Sequence, residues 1–365
     1  MRQRDSRAWR CRAIGGLLLA ALAAGCQEAN EPSAAQPRVQ VGPHGELTMI
    51  GLTMGPIPFK LTLVSGALSQ AAGRELLSEA HRTIEHVNVT MSTYLPASDL
   101  SRLNAAEAGA AVRIAPGLLA LLEACPGYTS QTQGAFDPTA RPLFELWKAA
   151  GKRKSLPSDQ EIAAAQALVG WQNLALDRRA FTAVKAVSAM QIDLGGIAKG
   201  YAVDLAMARL SAAGAAGALA EIAGEVSVVG SAPGGGPWVI GILNPFDPER
   251  LCGKLAMTGR SVSTSGNYFR YVEIDGRRYS HIVDPRTGRS ADAVPSVTVI
   301  AEDNTTADAW ATALSILGPD GLATAQARGL EVMMIVGSPE DYRIVATPGF
   351  AAYLHEGRPI RLDGE

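Results

Sequence analysis

The apolar positions of this chain change period several times. Over residues 65–89 they follow helical spacing, with Leu77, Ala80, Ile84 and Val87 on one face. Residues 47–64 alternate in part and predict two strand pieces, with Pro56 and Pro58 forcing an edge or a loop between them. Ser98 is placed to cap a short helix after Pro96. Residues 116–130 read as a helix that Pro126 should kink or break. Ser158-Asp159-Gln160-Glu161 is a capping box that opens a surface helix to about Val169. Residues 174–192 predict strands and 197–210 a helix, and from Ala218 to Gly259 the chain turns β-rich. A hairpin with a type I′ turn is expected at Asp275-Gly276, and a strand over 294–301. A helix capped by Thr305 or Thr306 and closed by Gly318 comes next, then one more helix and two or three strands.

With 365 residues, 47% hydrophobic and 19% charged, the chain has ample material for a sizeable core. No 18 apolar residues run uninterrupted, so an ordinary membrane span is not expected. The N-terminus is different in kind. Arg2, Arg4, Arg7, Arg10 and Arg12 precede a short apolar run over 14–24 that ends in Leu22-Ala23-Ala24-Gly25-Cys26. This resembles a bacterial lipoprotein signal. On that reading residues 1–25 are removed, Cys26 is acylated, 26–46 form a lipid-anchored tether and 47–365 the folded domain. The product is expected to be exported, periplasmic and held to a membrane, with Gln27 leaning the sorting toward the outer one. Without residues 1–25, the 33 basic and 35 acidic residues fall to 28 and 34, a formal −6 with no basic stripe, which argues against nucleic acid as a partner. Cys125 and Cys252 read as buried or semi-buried small hydrophobes, since neither lies in a CxxC or beside a histidine; whether they pair is open.

The densest chemistry lies in Ile192-Asp193-Leu194-Gly195-Gly196-Ile197-Ala198-Lys199-Gly200-Tyr201, with Asp204 behind it. It reads as a short strand ending in a carboxylate, a glycine pair and a helix start. Glycines let backbone approach a ligand, and a helix N-terminus presents unpaired N–H groups and the positive dipole end. The stretch is a phosphate seat with Asp193 on one flank and Lys199 on the other, or else a plain tight turn. Asp308 and Thr312, at i and i+4, share a helix face: half a site for a hard cation, or a dipole-complementing Asp beside a core-facing Thr. Asp137 sits in an Asp-Pro turn that exposes its carboxylate. Tyr94, in a Ser/Thr/Pro-rich loop, either stacks on a ligand ring or closes the core. His81 and His86 read as surface histidines. His281 ends a strand beside a second Asp-Pro turn at Asp284-Pro285, and an imidazole with its ordinary pKa near ~6.5 suits a general base.

Seven motifs occur in a fixed order: Thr53-Met54-Gly55, Met91-Ser92-Thr93-Tyr94, Ala135-Phe136-Asp137-Pro138-Thr139, the stretch from Asp193 to Tyr201, Thr264-Ser265-Gly266-Asn267-Tyr268, the stretch from Ser280 to Gly288, and Ala307-Asp308-Ala309 with Thr312. Together they resemble the ApbE family, the FAD:protein FMN transferases, over roughly residues 47–345. The resemblance implies an α+β, ApbE-like (T-fold-like) fold, a mixed sheet with packed helices in two closely associated subdomains. It implies a Mg²⁺-dependent periplasmic lipoprotein that splits the pyrophosphate of FAD. FMN is linked through a phosphoester to a Thr or Ser of a target flavoprotein, such as a subunit of a respiratory ion pump, and AMP is released. Carried over by position, FAD contacts fall on Met54, Tyr94, Ala135, Phe136, Asp137, Asp193, Lys199 and Val283. The metal falls on the Gly196 carbonyl, Asp308 and Thr312, and catalysis on His281, with a carboxylate as the alternative base. The other functions in view are a Mg²⁺-dependent FAD pyrophosphatase and a non-enzymatic flavin-binding lipoprotein. Two departures stand out: Pro56-Ile57-Pro58-Phe59 follows Thr53-Met54-Gly55, and Ala223-Gly224-Glu225 replaces the usual Gly-Gly-Asp. No site residue is assigned at the second.

Overall fold

The computed structural model describes residues 36–211, 214–266 and 271–362. The expected signal sequence and Cys26 therefore lie outside the described residues, as do Asn267 and Tyr268 of the fifth motif. Strands β1 (Arg38–Val41), β2 (Leu47–Thr53) and β3 (Ile57–Val64) form an antiparallel meander. Part of the stretch expected as a tether up to residue 46 is a strand, since β1 pairs along β2 from Arg38 to Val41. Pro58 does not mark an edge. It lies inside the sheet opposite Leu52, and its carbonyl accepts from Ala223 N.

Helix α1 (Gln70–Met91) starts where the Ser69 hydroxyl accepts from Ala72 N, and it buries the face read from the sequence. His86 is exposed as expected, but His81 is not a free surface group. Its ring stacks on Phe59 at 4.8 Å between centroids, and burial lowers its pKa. α2 (Asp99–Ala105) is capped by Ser98, and β4 (Ala111–Arg113) follows. α3 (Pro116–Gln131) runs through Pro126 without a break. The proline removes one N–H, while Leu118, Leu119, Leu121, Leu122 and Cys125 anchor the helix in the core. α4 (Arg141–Arg153) and α5 (Asp159–Gln166) come next, the latter opened by the expected capping box. β5 (Leu174–Asp177) and β6 (Thr182–Lys185) complete a small sheet with β4.

After α6 (Ala198–Ser211) come β7 (Gly217–Ile222), β8 (Glu225–Gly230), the long hairpin β9 (Trp238–Asn244) and β10 (Asp247–Met257), and β11 (Ser261–Gly266). β12 (Tyr271–Ile274) and β13 (Arg277–Ser280) flank Asp275 and Gly276, both at positive φ as a type I′ turn requires. β14 (Val283–Asp284) pairs with β15 (Arg289–Ser290). β16 (Ser296–Ala301), α7 (Asn304–Leu317), α8 (Leu322–Gln326), β17 (Glu331–Ser338) and β18 (Asp341–Ala346) close the fold. α7 is capped by Asp303, whose carboxylate accepts from Thr306 N, rather than by either threonine.

Nine strands form one sheet in the order β1-β2-β3-β7-β8-β11-β16-β17-β18. Every described pairing in it is antiparallel, so the α+β reading holds while the expected mixed sheet does not. Alternation along β7 divides the core. Ala218, Ala220 and Ile222 face the layer of α1, α3 and α6, and Leu219 faces the β9–β10 hairpin. From Ala35 onward the chain packs as one unit rather than as two subdomains. Cys125 and Cys252 are buried, free and in different apolar clusters. Among the described residues no helix is long and apolar enough to cross a membrane.

Candidate active site

The site is built where α6 crosses α7 above the start of β8. The crossing is close at Gly200: a Cβ there would collide with the Asn304 carbonyl and lie 2.9 Å from the Asp308 Cβ. Small residues let helix backbones approach, so side chains from both helices meet in one buried space. Asn304 fastens α7 to the sheet below, its amide donating to the Val226 carbonyl at 2.9 Å.

Lys199, Asp308 and Glu225 converge there. The Lys199 ammonium donates to Glu225 Oε1 at 2.9 Å and stands 3.4 Å from each Asp308 oxygen. The two carboxylate side chains are 4% exposed and the lysine 24%. Burial disfavours the ammonium, but Asp308 and Glu225 outweigh it and hold Lys199 above the ordinary lysine range. Glu225 goes the other way: burial raises it to about 7, against the pull of Lys199 and with the push of Asp308. Its Oε2 is buried with no hydrogen-bond partner. Beside this trio the Thr312 hydroxyl points at the Gly196 carbonyl, 3.5 Å away. A Cβ on Gly196 would come within 2.7 Å of that hydroxyl, so the glycine keeps the approach open. The three metal positions read from the sequence, Gly196, Asp308 and Thr312, are therefore brought to the α6–α7 crossing. Among the described residues no three His, Cys, Asp or Glu side chains assemble as a metal centre. A carboxylate, a hydroxyl and a carbonyl are instead the oxygen donors that a hard cation takes.

The phosphate seat differs from its expected form. Ile197 N and Ala198 N both donate to the Leu194 carbonyl, Gly200 N donates to Asp308 at 3.0 Å, and Tyr201 N donates to Ile197. These amides are taken, so positive charge at this end comes from the lysine more than from open N–H groups. No strand precedes it either. The Asn104 side chain occupies both backbone groups of Ile192, each at 2.8 Å, in place of a neighbouring strand. Lys185, fully buried, donates to the carbonyls of Asn104, Ser188 and Met190 and fixes the same segment.

Asp193 accepts from Gly195 N and from Arg141, each at 2.8 Å, and its own N–H donates to the Pro138 carbonyl. The Asp137 loop and the Asp193 loop are thus joined. Asp137 is not left open by its turn: it accepts from the N–H and hydroxyl of Thr139, and burial raises its pKa despite those bonds. Ala135 and Phe136 are buried, with Phe136 edge-on to Tyr128. The turn after His281 is clamped by a two-pronged pair, Arg286 to Asp284 at 2.8 Å for both prongs, and the Arg286 stem lies over Gly134. Val283 is buried with Leu143 and Trp147, so any flavin contact there comes through its backbone. Met54 holds a positive φ of 49° in the β2–β3 turn and is half-buried against the core. Tyr94 is 81% exposed, which rules out the core-closing reading, and His281 is exposed on the bend between β13 and β14. Both lie outside the buried cluster.

Sequence reasoning missed Glu225, Arg141, Asn104 and Lys185. Only Glu225 carried a signal, as the departure in Ala223-Gly224-Glu225. The other three act through contacts made between residues far apart in the chain.

A family model described as the ApbE family matches residues 56–334. An FAD:protein FMN transferase of Vibrio cholerae is 34% identical over 289 residues, covering 78% of this chain and 86% of that protein. Its namesake from Salmonella typhimurium is 32% identical over 351 residues, covering 94% and 97%. Among solved structures, the apo flavinyl transferase ApbE of Pseudomonas stutzeri matches with a TM-score of 0.74 at 34% identity, over 89% of this chain and 99% of that one. The ApbE protein of Thermotoga maritima matches at 0.75 and 29% identity, over 88% and 100%. Fold, motif order and these likenesses agree, and the chain belongs to the ApbE family.

Proposed function

We propose that this chain transfers FMN from FAD to a Thr or Ser hydroxyl of a target flavoprotein. The hydroxyl oxygen bonds to the FMN phosphorus, the bond from that phosphorus to the AMP oxygen breaks, and the hydroxyl proton passes to a base. The carrying observation is the meeting of Asp308, the Thr312 hydroxyl and the Gly196 carbonyl beside a charged, buried Lys199. Relatives and solved neighbours named FAD:protein FMN transferase or flavinyl transferase support the same reaction.

Mg²⁺ suits this donor set, and when bound it would offset the charge of the diphosphate as its bond breaks. Lys199 supplies a fixed positive charge next to that place, in a buried setting where charge counts for more than in water. Asp193, Asp137 and the loop around Phe136 hold the flavin nucleotide, with Tyr94 stacking from the surface. His281, exposed and so within reach of a protein hydroxyl, takes the proton. The chain acts as an exported lipoprotein held to a membrane through Cys26, on a flavin subunit of the respiratory ion-pump type.

The test is incubation with FAD, Mg²⁺ and a candidate flavoprotein subunit, read by in-gel flavin fluorescence. A fluorescent target band with release of AMP is the expected result. FMN and AMP with no labelled protein would make the chain a pyrophosphatase, and intact FAD would make it a carrier.

A further inference from the structure

Two buried carboxylates share one ammonium at the α6–α7 crossing, and they share it unequally. Lys199 Nζ is 2.9 Å from Glu225 Oε1 but 3.4 Å from each oxygen of Asp308. Asp308 is held in place by other means, accepting from Gly200 N at 3.0 Å. Glu225 keeps its place through the sheet: it opens β8 and pairs in register with Ser263 of β11. Its second oxygen is buried and unpartnered, an expensive arrangement for a side chain that only packs.

A divalent cation and an ammonium compete for the same carboxylate oxygens, because the two positive charges repel at contact distance. Asp308 therefore needs the lysine drawn aside without losing its charge. We infer that Glu225 is the positioning residue that does this: it draws the Lys199 ammonium toward itself, so that the contacts to both Asp308 oxygens stay long, at 3.4 Å, and a cation can displace the ammonium from them. The inference rests on the cation reading given under Proposed function. Glu225 acts through Lys199 and is not itself a ligand.

The test is a double-mutant cycle read by calorimetric binding of Mg²⁺ to the folded protein without FAD, so that activity plays no part. Glu225→Gln should weaken Mg²⁺ binding about 10–100-fold, as Lys199 closes on Asp308. In a Lys199→Gln background the same Glu225→Gln change should alter binding less than about twofold, because no ammonium remains to be held. An equal loss in both backgrounds would make Glu225 a ligand or a simple field source and overturn the inference. Unchanged binding in Glu225→Gln would overturn it too. Should Lys199→Gln not fold, as judged by its thermal transition, Lys199→Met serves as the background with the same two outcomes. If the unaltered protein binds no Mg²⁺, and Asp308→Ala makes no difference, the cation reading fails and the inference falls with it. That pattern is distinct from either failure above.

Discussion

The site residues fall into two regions built on opposite principles. Lys199, Glu225, Asp308 and Thr312 lie on regular helices and a strand, with both carboxylates almost wholly buried. Tyr94 and His281 lie on irregular surface segments. Taking charges out of water costs several kcal/mol per ion, which the attraction within the trio must offset. Replacing buried ions by apolar residues of similar volume is often neutral or stabilising. On the function proposed above, the buried region fixes charge where the diphosphate and cation would be handled. The exposed region makes no such demand. Its groups can adapt to a flavin ring and to a protein partner whose approach is not fixed in advance.

The largest expected effect breaks the buried region. Asp308→Ala should leave no measurable flavin transfer and abolish calorimetric Mg²⁺ binding, since one of few protein ligands is lost. Thr312→Val should act in the same direction more mildly. Wild-type rates for both at limiting Mg²⁺ would remove the cation from this crossing. Next comes the exposed region. His281→Ala should cut the transfer rate by about 10²–10⁴ while FAD affinity stays the same. His281→Gln keeps a hydrogen-bond donor without a working base. Full turnover in that variant would pass the proton to a carboxylate and shift catalysis toward the buried region.

The two regions were also legible to different degrees. The candidate cation half-site was legible as a pairing on one face because Asp308 and Thr312 are local, four apart on one helix. The partner of that half-site was not. Glu225 reaches Lys199 through the packing of α6 against β8, which is not visible in a local window. The cap of α7 was misread for a related reason. Asp303, Thr305 and Thr306 all have capping chemistry, but Thr305 is taken by Asp204 of α6, and Asp303 closes the turn. The strand expected before Asp193 failed because Asn104, 88 residues away, fills the backbone groups of Ile192. Local capping signals, by contrast, held at Ser98 and Ser158, where nothing distant competes. Antiparallel or mixed pairing in the large sheet was beyond periodicity, which sets strand faces but not strand order.

A smaller effect would sharpen the comparison by disturbing the frame of the buried region alone. Gly200→Ala puts a methyl against the Asn304 carbonyl and the Asp308 side chain, so α6 and α7 must part. Overpacking of this kind should cost about 1–3 kcal/mol in denaturant unfolding. Because Asp308 loses its tie to Gly200 N, Mg²⁺ binding should weaken as well, while the flavin fluorescence of bound FAD stays unchanged, as the proposed contact at the exposed Tyr94 requires. Loss of stability with no change in Mg²⁺ binding would mean that the crossing supports the fold but not the site.

The smallest expected effect is a change of slope with pH, and it isolates the other tie between the two helices. Asp204 on α6 accepts from Asn304 N at 2.7 Å and from Thr305 N at 2.8 Å, and burial raises its pKa in spite of these bonds. A carboxyl with a folded-state pKa above its unfolded value near ~3.9 binds its proton more readily when folded. Its contribution to stability is thus fully present below that unfolded value and is lost as pH rises through the raised folded one. Asp204→Asn removes the titration and also exchanges one acceptor for an amide donor, which costs about 1–3 kcal/mol at every pH by leaving a buried N–H unsatisfied. The wild type should therefore lead the variant by most near pH 4, with the lead shrinking as pH rises toward neutrality, because only the wild type loses stability in that window. Other buried carboxyls, Asp137 and Glu225 among them, titrate alike in both proteins and cancel in the difference. Urea unfolding of the pair at several pH values measures the lead directly, and a lead that stays constant would mean that Asp204 folds with its charge as well accommodated as in water.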